Sequence, residues 1–205
     1  MSKRNKKQKK LQRQAELAAR PTGASIVAQW PLYEVLLDAG WQDTANLARI
    51  LVARQAPDAS KVAVAYFLAD LACLGIKSVQ VKRFADLVEY EEFRTHVLTG
   101  PPMVQADLDL VAKILYTARD YASQLGFKPD FVFTQAEFLL SGAEPEHCPT
   151  PVPTGGPEGK PLYINGPYDD PDQIIATLRR TVGEDNFDYV IQAGPDTRFG
   201  FDDKA

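Results

Sequence analysis

The chain has 205 residues, 45% of them hydrophobic, which is enough apolar side chain for a core that needs no disulfide or metal staple. Its net charge of −4 hides a split: the first twenty residues carry eight Lys/Arg and one acid, for +7, and the other 185 carry 15 basic and 26 acidic residues, for −11. Two cysteines are too few for a disulfide framework, and no run approaches the ~18 apolar residues of a membrane span, so a cytoplasmic protein with reduced thiols and no membrane partner is expected.

Residues 1–23 read as a basic arm. Lys3, Arg4, Lys6, Lys7, Lys9, Lys10 and Arg13 would repel one another along a helix, and Leu11, Leu17 and a few alanines are all the arm has to bury. It is therefore expected to lack structure when free and to become helical on an anionic partner. Pro21, Thr22 and Gly23 separate it from a globular body over residues 24–194, and residues 195–205 form a short polar tail.

Within the body, Trp30-Pro31 stops any helix, and a strand is expected after the proline. Residues 47–54 fit a strand or the continuation of a helix begun near Asp43. The turn cluster at 56–60 and the clear strand at 61–69 favour a hairpin. In that strand Val62, Val64, Tyr66 and Leu68 alternate with Ala63, Ala65, Phe67 and Ala69, which predicts a central strand covered on both faces. Gly75 is expected to turn the chain. Helices are expected over 84–97 and 104–125, the second on the recurrence of Val104, Leu108, Val111, Leu115, Ala118, Ala122 and Leu125, with Gly126 in the left-handed position after it. Residues 149–168 hold six of the 15 prolines and read as loop, apart from a short strand at 162–164. A helix follows, capped by Asp170 with Pro171 at its first position and closed by Gly183, and then a last strand at 187–191. These elements predict one α+β domain with a mixed or antiparallel sheet and helices packed on it.

Residues 65–77 and 147–168 carry a further signal. They resemble signature segments of a family of uncharacterised bacterial proteins, of the CLG(I/V)K and GKP-(F/Y/L)-Y-x-x-GP type. Members similarly begin with a Lys/Arg-rich tail before a Trp-Pro pair, and the segment from Gly126 to Asp130 also fits. The resemblance covers roughly residues 1–190 and implies a bacterial cytoplasmic origin and a shared fold, but no activity. Family members more often have a His near Lys128; its absence here counts against a role for that position.

No catalytic signature stands out. Aligned on Gly159-Lys160, a Walker A loop would need Gly at Thr154 and Ser/Thr at Pro161, so the glycine-rich stretch reads as a turn. Cys73, Cys148, His96 and His147 are the soft metal ligands, and they lack the paired spacing of a zinc site, so no metal or cofactor is expected; a Cys148–His96 nucleophile pair is left open by sequence. Asp70, Cys73 and Lys77 at the end of the central strand, with Lys160 and Asn165 of the glycine-rich loop, form the candidate pocket. For Asp70 the simpler reading is a carboxylate capping the next turn. Lys77, Lys82 and Arg83 are the body's one basic cluster, and the acidic run at 169–172 reads as helix capping.

The charge split favours a noncatalytic protein bound through Lys3, Arg4, Lys6, Lys7, Lys9, Lys10 and Arg13 to nucleic acid. RNA or the ribosome is preferred over membrane, because the arm has no aromatic anchor, and over a defined DNA sequence, because no base-reading motif is present. The alternatives are an enzyme of unknown reaction with its site near the 70–77 turn and the 155–166 loop, or an adaptor whose acidic body takes a protein partner.

Overall fold

A computed structural model describes residues 23–128 and 131–191; the arm, including Lys3, Arg4, Lys6, Lys7, Lys9, Lys10 and Arg13, and the 195–205 tail lie outside the described residues. The fold is α+β, built on a five-stranded sheet. After a short helix α1 (Gly23–Val27), the strands are β1 (Leu32–Asp38), β2 (Ala48–Gln55), β3 (Val62–Asp70), β4 (Gly75–Phe84) and β5 (Met103–Gln105). Their order is β4-β3-β2-β1-β5, and every pairing is antiparallel. Helix α2 (Leu87–Val97) lies between β4 and β5 in sequence, α3 (Leu108–Gln124) and α4 (Phe131–Ala136) follow β5, and a C-terminal module contains β6 (Leu162–Ile164), α5 (Pro171–Val182) and β7 (Asp188–Val190). Strands β6 and β7 pair in parallel, apart from the large sheet.

Period-two alternation explains how the sheet is covered. Ala63, Ala65, Phe67 and Ala69 of β3 join Ile50, Val52, Val35 and Leu37 in a cluster closed by Val111, Ile114, Leu115 and Ala118 of α3 and Phe133 of α4. On the opposite face Val62, Val64, Leu51, Ala53 and Leu36 meet Tyr90 and Val97 of α2. Glu34 of β1 fixes that helix: its carboxylate accepts from Arg94 Nε and Nη2 at 2.7–2.9 Å and from the Tyr90 hydroxyl at 2.6 Å. Burial raises the Glu34 carboxyl, but these donors outweigh it and hold the group below its ordinary value.

The β3–β4 turn does more than reverse the chain. Gly75 (φ 73°) sits beneath α3, where an added Cβ would stand 2.6 Å from Ala122 Cβ and 2.9 Å from the Ala118 carbonyl oxygen, so both its dihedral and its lack of a side chain are required. The turn pushes Cys73 into a third cluster with Leu125, Tyr163, Ile175, Leu178 and Phe187, which seats the C-terminal module against the end of the sheet.

Three expectations are corrected. Residues 75–84 form β4, so the helix expected from Phe84 begins at Leu87, where Asp86 caps it by accepting from the Glu89 amide at 3.0 Å. The helix expected from Val104 begins at Leu108, because residues 103–105 pair with β1, with Val104 opposite Leu37. Helix α4 is new. The hairpin of β2 and β3, Gly126 at φ 91°, and the Asp170 cap on the Gln173 amide at 3.2 Å stand as expected.

Candidate functional site

The end of β3, the start of β4 and the 162–166 strand and loop enclose a cavity of about 130 Å³ lined by Asp70, Ala72, Lys77, Leu162, Asn165 and Gly166, with residues 44–47 across from them. The two resembling segments therefore meet. Backbone bonds join them: the Gly155 amide donates to the Leu71 carbonyl at 3.0 Å and the Leu162 amide to the Ala72 carbonyl at 3.1 Å. Thr44 closes the other side by donating its hydroxyl to the Gly155 carbonyl at 2.6 Å.

Of the five pocket candidates, Asp70, Lys77 and Asn165 line this cavity, and Cys73 and Lys160 do not. Asp70 is 6% exposed and accepts from the Ala72 and Cys73 amides at 2.9 Å each. Burial raises its carboxyl above the ordinary range, against the pull of those amides and that of Leu74. The Lys77 ammonium lies 2.8 Å from Asp169 Oδ2. That carboxylate also accepts from the Gly166 amide at 2.7 Å. Burial acts to raise the Asp169 carboxyl, and Lys77 and Gly166 together hold it below its ordinary value of 3.8. Cys73 is fully buried, and burial pushes its thiol well above the ordinary value, which removes it as a thiolate nucleophile at neutral pH. Lys160 points away and donates to the Asp185 carbonyl at 3.2 Å.

The amides of Gly155, Gly156 and Gly159 are all engaged, that of Gly155 on the Leu71 carbonyl and the other two within the loop. Gly156 donates to the Lys160 carbonyl at 2.6 Å and Gly159 to the Gly156 carbonyl at 2.8 Å, closing a turn rather than presenting an anion nest. The soft ligands are dispersed. Cys73 is in the third cluster, Cys148 accepts at its carbonyl from Lys113 of α3, and His96 ends α2 on the other side of the sheet, so Cys148 and His96 cannot act as a pair. Among the described residues no group of three or more metal-ligating side chains forms, and no helix is long and apolar enough to cross a membrane.

Sequence reasoning missed Asp169. It assigned the 169–172 run to capping, which holds for Asp170, whereas Asp169 turns inward to Lys77, 92 residues earlier. It also missed Arg54, a buried guanidinium that donates to the carbonyls of Leu139 (2.9 Å), Trp30 (2.8 Å) and Ser141 and so fixes the start of β1 to the segment after α4. The place of Arg54 in a largely apolar strand, which also carries Arg49, was the one local signal.

A comparison with known proteins finds no matching family model, curated protein or solved structure.

Proposed function

We propose that this protein is noncatalytic and associates with nucleic acid, RNA or the ribosome, through its basic N-terminal residues, in a bacterial cytoplasm. The observation that carries this reading is the charge split between +7 in residues 1–20 and −11 in the rest. Seven of those eight cations fall within residues 3–13, most of them one or two residues apart, so neighbouring charges lie within the screening distance of about 8 Å at physiological salt and their fields add. An acidic body that repels phosphate leaves the arm as the point of attachment.

The cavity supports the noncatalytic half. Its acid caps a turn, its base is ion-paired, its neighbouring thiol is protonated, and its ~130 Å³ falls well short of the ~300 Å³ at which ligand pockets begin. A second reading, an enzyme or small-ligand site, rests on the convergence of Asp70, Lys77 and Asn165 on one cavity; a ligand there would have to displace the Lys77–Asp169 pair.

Binding of the full chain to structured RNA across a salt series tests the proposal. With about four to six phosphate contacts the slope of log K against log salt is expected at roughly −3 to −5. Replacing Lys6, Lys7, Lys9 and Lys10 with Gln should flatten it by several units and weaken all sequences alike. If neither form binds RNA or DNA at low salt, the proposal fails.

A further inference from the structure

Where the chain enters the described fold, at Gly23, it meets a cleft of about 400 Å³. Its walls combine aromatic and apolar side chains, Ile26, Trp30 and Phe84, with two cations, Lys61 and Arg83. Ile26 is 47% exposed, and Trp30 and Phe84 are half-buried, so apolar surface reaches the opening. Arg83 leans across Gly23, where an added Cβ would stand 2.9 Å from Nη1. Neither Lys61 nor Arg83 has a carboxylate within ion-pair distance among the described residues. Asp58, whose carboxylate accepts from the Ser60 hydroxyl at 2.7 Å, feels the Lys61 charge without an ion-pair contact.

We infer that this cleft takes one nucleotide of single-stranded RNA, its base against Trp30, with Phe84, whose ring packs on Phe93 at 5.3 Å and Tyr90 at 5.9 Å, as the apolar wall beside it, and its phosphate on Lys61 and Arg83, an inference that rests on the arm being the RNA tether. Three features converge on that occupant. The size lies within the ~300–1,000 Å³ range of pockets that enclose a small planar ligand. Aromatic faces beside unpaired cations are the chemistry by which single strands are held without sequence readout, stacking for the base and charge for the backbone. The third is position: a strand drawn in by the +7 segment arrives at the cleft that borders residue 23, while the remaining body repels phosphate. A duplex cannot enter, because its base faces are already stacked on one another.

The test compares an oligouridylate of about ten nucleotides with blunt duplex RNA of equal length, using the full chain. Lys61→Gln with Arg83→Gln, two exposed positions, should weaken the single strand about tenfold and the duplex less than twofold, while the Lys6, Lys7, Lys9 and Lys10 variant weakens both. The single strand should also quench tryptophan emission, and Trp30→Phe should abolish the quench, because Trp41 is only 6% exposed. Equal losses on both RNAs, or no loss in the Lys61/Arg83 variant while the arm variant loses affinity, would overturn the cleft assignment and leave the arm reading in place. No binding of either RNA by the wild type removes both. A change in Trp30 emission in the arm variant without RNA would give the cleft to residues 1–22 of the chain itself and also overturn the inference.

Discussion

Strand β4 carries a cation near each end, and the two ends differ. At the start, Lys77 faces inward and is neutralised by Asp169 at 2.8 Å, with both side chains under 20% exposed. At the finish, Arg83 lies exposed at the rim of an aromatic cleft with no ion-pair partner among the described residues. Partnered polar groups hold the molecule together, and unpartnered ones beside apolar surface are free to hold something else. The cavity at residues 70–77, which attracts attention in the sequence, belongs to the first kind. The cleft at Gly23 belongs to the second.

Stability measurements break this comparison most sharply. Lys77→Met leaves the Asp169 carboxylate half-buried without its counter-charge, and should destabilise the protein by about 2 kcal/mol, read as a lower midpoint in urea at unchanged slope. Arg83→Gln should stay within about 0.5 kcal/mol of wild type. Comparable losses at both positions would erase the distinction between the two ends.

A smaller effect, in pH, sharpens it. Asp169 has a depressed carboxyl, so its contribution is fully present above its ordinary value of 3.8 and is lost as pH falls through the still lower folded value. Lys77→Met removes the partner that depresses it. The stability gap between wild type and Lys77→Met should therefore be widest near neutral pH and narrow as pH falls through the carboxylate range. Glu34, also depressed, loses its own contribution in the same acid region in both proteins, whereas Asp70, raised by burial and pulled down in part by Lys77, is raised further in Lys77→Met and so narrows the gap in the same direction as pH falls. A gap that persists unchanged to pH 2 would mean that Lys77 acts through packing of its stem and not through its charge.

Short-range chemistry was legible in the sequence and long-range pairing was not. The covered central strand is written in residues 62–69, and the Asp170 cap and the Gly126 terminus are each complete within a few residues. Asp70 as a turn cap is equally local, its amide donors being two and three residues away. Strand β4 was missed because Ser78, Gln80, Lys82 and Arg83 make its exposed half polar, which fits a solvated strand or helix face alike; what makes it a strand is pairing with β3, Gln80 opposite Tyr66 and Phe84 opposite Val62. Strand β5 has three residues, and only β1 makes it one. The same holds for the site. Asp70 and Lys77 stood out because they end and closely follow an apolar strand, and Asp169 did not, because its partner lies 92 residues away.

The central claim, that the arm binds RNA and the cavity does not, is tested most directly by the affinity for structured RNA at low salt of two full-length variants measured side by side. Lys77→Met/Asp169→Asn alters the cavity without changing net charge, and should bind within twofold of wild type. The Lys6, Lys7, Lys9 and Lys10 variant should bind at least tenfold more weakly while unfolding at the wild-type temperature. Loss of RNA binding in the cavity variant, with the arm variant unaffected, would contradict the claim and move the functional site to the junction of residues 65–77 and 147–168.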